Sequence, residues 1–170
     1  MITNVTLTTK EKFLLEDQKS DEQICIQKYA NYANLATDPE LKNILNSNKK
    51  QEEEHLNTIN QLLSGKVPSM NSNQGSSSQS NSSSSEESIS GSAKSSQSKG
   101  SSGTFQASDK DLCTDLLMTE KFVSGNYDTA IFEFKDPQVR DVLNHIQKEE
   151  QKHGESIYKY MESKGMYKPK

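Results

Sequence analysis

Laid against itself at an offset of 98 residues, the sequence repeats without a gap. Glu22 falls on Glu120, Tyr29 on Tyr127, Asp38-Pro39 on Asp136-Pro137 and Leu45-Asn46 on Leu143-Asn144. Lys50, Glu52 and His55 fall on Lys148, Glu150 and His153. Lys12, Leu14 and Asp17 meet Lys110, Leu112 and Asp115 at the front, and Ile59 and Lys66 meet Ile157 and Lys164 behind. These are 14 identities in 57 aligned positions, well beyond chance. A duplication of this kind restricts the fold to one that two copies of a single supersecondary unit can close between them.

Each copy reads as two helices. Leu14, Gln18, Glu22, Cys25, Tyr29, Tyr32 and Ala36 recur at steps of three and four, as do Leu41, Ile44, Asn48, Glu52, His55, Ile59 and Leu62. That spacing is one face of a helix. Thr37-Asp38-Pro39 breaks the first copy and Lys135-Asp136-Pro137 the second, each an Asp cap with proline at the first helical position. So short a connection makes the two helices antiparallel neighbours. Gly65 ends the second helix and Gly165 the fourth.

Between the copies the composition changes sharply. Residues 69–104 hold 18 Ser in 36 positions, with only Met70, Ile89 and Ala93 apolar. Such a stretch cannot bury enough surface to offset its ordering entropy, so disorder is expected. The organisation expected is a helical hairpin over 9–66, a Ser-rich linker over 67–107, a second hairpin over 108–165 and a tail over 166–170. Two hairpins close most economically as an all-α four-helix bundle. A flexible chain of this linker's length reaches about 33 Å, and a crossover along the bundle needs about 30 Å. The same hairpins could also pair between two chains, giving a swapped homodimer.

Six polar residues interrupt the apolar faces. Glu22 lies between Leu14/Leu15 and Tyr29, and Glu52 with His55 between Ile44/Leu45 and Ile59. In the second copy Glu120 lies between Leu116/Leu117 and Tyr127, and Glu150 with His153 between Val142/Leu143 and Ile157. Residues three apart on a helix are side by side, so each Glu-x-x-His pair can grip one ion. Glu22 stands 15 residues before Thr37 and Glu52 stands 14 after Asp38, which sets them level across the hairpin. Four carboxylates buried at one level repel one another and are costly to desolvate. Two divalent cations would neutralise them and take the imidazoles as ligands; the competing reading is a metal-free Glu–His hydrogen-bond network. Tyr29 and Tyr127, two turns beyond Glu22 and Glu120, are expected to bond ligand carboxylates without touching the ions themselves, with a redox role as the sharper alternative. Cys25 reads as a buried structural thiol. Glu53, Glu54 and Glu149 fall off the face and are expected in solvent, with His145 at the surface.

Other classes are disfavoured. The net charge is −4 and no basic run occurs, so nucleic acid is not expected as a partner. No apolar run approaches membrane-spanning length, and residues 1–10 lack the order of a secretory signal. Cys25 and Cys113 form no Cys-x-x-Cys pair and suit synthesis in a reducing compartment. The closing segment, with Tyr158, Tyr160, Tyr167, Lys159, Lys164, Lys168 and Lys170, reads either as a cross-linking or docking surface or as an ordinary helix end.

These residues carry two resemblances. The run from Asp111 to Leu117, Asp136-Pro137-Gln138-Val139-Arg140, His153, Tyr158-Lys159-Tyr160-Met161 and Gly165-Met166-Tyr167 resembles the Coat F domain of bacterial spore coat proteins. It implies a ferritin-like bundle, synthesis in the mother-cell cytoplasm, deposition in the spore coat and other coat proteins as partners. The six polar residues resemble the dinuclear site of rubrerythrin and bacterioferritin-type proteins, a set shared by ferritin-like di-iron and di-manganese bundles. That likeness implies Glu22 and Glu120 as terminal ligands, Glu52 and Glu150 as bridging ligands, and His55 and His153 each completing one ion's shell. Rubrerythrins carry a further Glu where Val123 stands here, and usually a rubredoxin-like Cys-x-x-Cys module that this chain lacks. The expected function is a structural coat component holding two iron or manganese ions. The alternative is a cytoplasmic rubrerythrin-like peroxidase or ferroxidase that needs an external electron donor.

Overall fold

A computed structural model describes residues 3–69 and 107–168. Its elements, in chain order, are a short strand β1 (Thr3–Asn4), helix α1 (Thr9–Leu35), helix α2 (Pro39–Leu63), a short strand β2 (Lys66–Val67), helix α3 (Asp109–Ile131) and helix α4 (Pro137–Ser163). Four helices carry the fold, and β1 pairs with β2 antiparallel, Thr3 opposite Val67. The expected linker, 67–107, lies largely outside the described residues. Val67, assigned to it, is instead buried beside the bundle.

Each helix begins where its cap residues dictate. Thr8 and Glu11 form a reciprocal capping box on α1, as Ser108 and Asp111 do on α3. Asp38 and Asp136 cap α2 and α4 through the backbone N–H of Glu40 and Gln138, with Pro39 and Pro137 at the first helical position. At the end of α4, Gly165 takes φ +68°. Its N–H reaches the Glu162 carbonyl at 3.0 Å while the Met166 N–H reaches Met161 at 2.8 Å, the paired bonds of a Schellman cap. Gly65, at φ +77°, closes α2 and turns the chain into β2.

The helix directions follow from cross-helix bonds. Tyr29 of α1 bonds Glu120 of α3, and Tyr127 of α3 bonds Glu22 of α1. These partners change in opposite senses along the two helices, so α1 and α3 are antiparallel. Asn48 with Ser156 and His55 with Glu149 show the same for α2 and α4. Consequently α2 and α3 run the same way, so the end of α2 and the start of α3 lie at opposite ends of the bundle; the expected crossover itself falls outside the described residues. A 25-residue α2 sets the span between those ends at about 37 Å.

The duplication also supplies a latch at each end. Asp109 of α3 accepts the Thr37 and Asp38 N–H groups at 2.8 and 3.0 Å in the α1–α2 turn. Its equivalent, Glu11 of α1, accepts the Lys135 N–H at 2.9 Å in the α3–α4 turn. Each hairpin thus holds the turn of the other. Between the latches the interior is apolar: Leu15, Leu41, Leu45, Ile59, Leu116, Leu143 and Ile157 are wholly buried. At mid-height that interior gives way to polar side chains.

Candidate metal centre

Glu22, Glu52, His55, Glu120, Glu150 and His153 are all buried, none more than 4% exposed. The duplicated spacing places them level, and the antiparallel packing of α1 on α3 and α2 on α4 turns all six to one interior point. They fall into two groups: Glu22, Glu52, His55 and Glu150, and Glu52, Glu120, Glu150 and His153. Within each group the candidate ligand atoms all lie within 4.8 Å of one another. Glu52 and Glu150 belong to both, while Glu22 and Glu120 each serve one.

The contacts converge on shared space. His55 Nδ1 lies 2.8 Å from Glu150, 3.2 Å from Glu52 and 3.6 Å from Glu22. His153 Nδ1 lies 3.1 Å from Glu52 and 3.7 Å from both Glu120 and Glu150. The two imidazoles stack at 5.6 Å. Glu22 Oε2, Glu120 Oε2 and both oxygens of Glu150 are buried without a hydrogen-bond partner. Glu150 Oε1 is close to His55 but lacks hydrogen-bond geometry. A buried carboxylate oxygen left unpaired is strongly disfavoured. Oxygens and imidazole nitrogens crowded around one point, without bonding one another well, fit cations between them. Carboxylate with imidazole is a donor set that suits iron or manganese.

Charge in the centre divides unequally. Burial pushes Glu22 far above the usual carboxylate range, with Glu150 and Glu52 adding to the effect and His55 opposing it. Burial likewise takes Glu120 up to about 8. Burial also acts to raise Glu150 and Glu52, but the closeness of His153 and His55 prevails and holds both low, Glu150 at about 2. Burial acts to lower the two histidines, yet the surrounding carboxylates raise both, His153 to about 11.

Tyr29 and Tyr127 donate to ligand carboxylates, as expected, each reaching across to the other hairpin. The Asn48 amide in turn donates to the Tyr29 hydroxyl at 3.2 Å. Cys25 is buried one turn from Glu22, and burial raises its thiol far beyond physiological pH. Glu53, Glu54 and His145 are exposed, as expected. Glu149 corrects the sequence reading. It is not a solvated bystander: only 14% exposed, its carboxylate lies 2.9 Å from His55 Nε2. That contact fixes the His55 ring with Nδ1 turned inward, the carboxylate–histidine support typical of metal ligands. Its position one residue off the α4 face hid this, because α2 packs against that flank. The duplication offered the one hint, since a polar Gln51 stands at the equivalent place.

Of the two readings of the closing segment, Tyr160 and Lys164 fit the ordinary helix end. Tyr160 is buried with its hydroxyl 3.0 Å from Asp38, and Lys164 pairs with Asp38 and Glu40 at 2.9 and 3.0 Å. They finish the helix and fasten it to the α1–α2 turn.

Comparison with known families adds one finding. Residues 108–170 match the Coat F domain. The Coat F segment comprises α3 and α4, and so contributes Glu120, Glu150 and His153 to the centre, with Tyr127 and Glu149 beside them. No curated protein and no solved structure matches the chain. Among the described residues no helix is long and apolar enough to cross a membrane.

Proposed function

We propose that this protein is a structural component of the bacterial spore coat whose four-helix bundle holds a dinuclear iron or manganese centre. The Coat F match supports the first half of that reading. The second rests on one observation: two ligand groups share Glu52 and Glu150, with four carboxylate oxygens buried and unpartnered. Glu22 and Glu120 would be the terminal ligands and Glu52 and Glu150, shared by both groups, the bridging ones, with His55 and His153 each completing one ion's coordination. A Glu plus a Glu-x-x-His from each hairpin of a four-helix bundle is the ligand pattern of ferritin-like carboxylate proteins, which supports this reading.

Elemental analysis of protein from its native cells, with EDTA titration of thermal stability, tests the centre. Metal that binds only the folded state adds about 3 kcal/mol at a hundredfold excess over its dissociation constant. An unchanged melting temperature after chelation overturns the reading. Glu52→Ala and Glu150→Ala should each abolish both ions, and Glu22→Ala only one. Tagging during sporulation tests the location: synthesis in the mother cell followed by a ring around the forespore, with other coat proteins as partners, is the expected result. Uniform presence in growing cells counts decisively against it.

A second reading, a rubrerythrin-like peroxidase or ferroxidase, is favoured by the completeness of the set, including a tyrosine donor on each terminal ligand. Paired iron ions would supply activation of an oxygen species held between them. The protein's own part is to exclude bulk water with the apolar layers above and below, and to orient Glu120 and Glu22 through the hydroxyl protons that Tyr29 and Tyr127 donate to them. An external reductant must supply electrons, since Cys25 and Cys113 are buried and free. Equal peroxide turnover by iron-loaded wild type, Glu52→Ala and Glu150→Ala would end this reading.

A further inference from the structure

The two hairpins do not cover the centre equally. A cleft of about 450 Å³ lies between α3 and α4, with Glu120 and Glu150 in its floor and Lys121 and Asp128 exposed at its rim. Gly125 and Gly154 form its walls. At an offset of 98 residues, the first hairpin carries Gln27 and Leu56 in their places, and Leu56 is half-buried. The first hairpin therefore carries side chains at the two equivalent positions where the second carries only hydrogens. Helical geometry does not ask for either glycine, since both have negative φ and sit inside helices where glycine is disfavoured. Nor does close packing: a Cβ at Gly125 would meet nothing within 4 Å. At Gly154 it would lie 3.7 Å from Leu117 Cδ1 and 3.9 Å from Glu120 Cβ, in ordinary contact. What both glycines do is leave the cleft open above two carboxylates whose oxygens are buried and unpartnered, Glu120 Oε2 and both oxygens of Glu150.

We infer that the α3–α4 cleft, kept open by Gly125 and Gly154, is the passage by which divalent cations enter and leave the centre. The inference rests on the metal-binding reading above. Glu120 and Glu150 are the first buried ligands an incoming cation meets, so it exchanges hydration water for their free oxygens before the imidazoles engage. Entry is from the second hairpin, and the site that uses Glu120 and His153 is met first.

Stopped-flow mixing of the metal-free full chain with Co(II), followed by its visible absorption, tests this. Gly154→Leu, which installs the first hairpin's residue, should slow loading about tenfold or more, a barrier rise of about 1.4 kcal/mol. Extraction by EDTA should slow by the same factor, leaving the dissociation constant and the final cobalt content unchanged. Gly125→Gln should slow both rates in the same direction, and serves if Gly154→Leu does not fold. Leu56→Gly, opposite, should speed loading or leave it alone. Wild-type rates in both cleft variants, with normal cobalt content, overturn the passage while sparing the metal site. A changed affinity with an unchanged loading rate also overturns it, since the side chain would then be disturbing ligands and not a route. If the wild-type protein takes up no cobalt, iron or manganese, the metal reading fails and the passage with it.

Discussion

A buried carboxylate must either lose its charge or find a partner, and the residues of this centre do both. With Glu22 and Glu120 raised, Glu52 and Glu150 lowered and both histidines raised, the metal-free centre at neutral pH holds two carboxylic acids, two carboxylates and two imidazolium rings. Its net charge is zero. Two divalent cations can enter without changing that sum only if about four protons leave. Titration calorimetry in buffers of different ionisation enthalpy should therefore show a release near four per chain at pH 7, and a release near zero would refute this protonation pattern. The same shifts set a pH dependence. Glu120 titrates near 4.5 when unfolded and at about 8 when folded, so the folded state holds the extra proton between those values. Its stabilisation is whole below about pH 4.5 and is lost as pH rises through about 8. Metal-free protein should melt lower as pH climbs across that window, and Glu120→Gln, which cannot titrate, should flatten the decline. Gln18 presents a separate case. It is 2% exposed with Oε1 unpartnered, and the second copy has Leu116 in its place. Gln18→Leu should stabilise the fold by about 1–2 kcal/mol, the cost of an unmet buried acceptor, measurable by urea unfolding.

Among the elements, the helix ends do the most to fix register. Caps at Thr8, Asp38, Ser108 and Asp136 start the helices at points that bring the six ligands level. A one-residue slip of any helix would rotate its ligand about 100° off the interior face. Gly65 and Gly165 allow a further comparison. Both need left-handed φ, but a Cβ at Gly65 would also stand 3.0 Å from the Val5 carbonyl oxygen, whereas one at Gly165 meets nothing. Gly165→Ala should cost about 1–2 kcal/mol from backbone conformation alone. Gly65→Ala should cost more, because the β1–β2 pair must also give way. Equal losses in denaturant titrations would show that this pair contributes nothing. The Asp-Pro caps of α2 and α4 were legible in the sequence, because they act through local geometry, whereas the Thr8–Glu11 and Ser108–Asp111 boxes emerge only in the structure. The β1–β2 pairing was not legible either, since two-residue strands leave no periodicity to read.

At the scale of the whole molecule, connectivity and symmetry matter most. Because α2 and α3 are parallel, the segment between them must span about 37 Å, which an extended chain needs about eleven residues to do. Shortening the Ser-rich segment to about twenty residues should leave the melting temperature and the oligomeric state unchanged. Cutting it below about ten residues should force the hairpins to exchange between chains, and size-exclusion chromatography should then report a dimer. A monomer from the shortest form would contradict the parallel course of α2 and α3.

Periodicity and duplication, read along the chain, were enough for the helical class, the paired hairpins, the turn positions and the six-residue polar set, because each depends on spacing within one helix or on comparing one copy with the other. Packing between helices decided the rest. Tyr29 lies two turns, about 10 Å, from Glu22 on its own helix, too far for its hydroxyl, and only the antiparallel meeting of α1 and α3 delivers it to Glu120. Glu149 supports His55 because α2 presents that ring to the flank of α4, a relation no single-helix pattern contains. Gly125 and Gly154 are visible as small residues in the sequence, but that both border one cleft beside the carboxylates is a fact of how α3 lies on α4. Spacing along one chain fixes which side chains share a face; which faces meet, and what they leave uncovered, depends on the free energy of packing all four helices together.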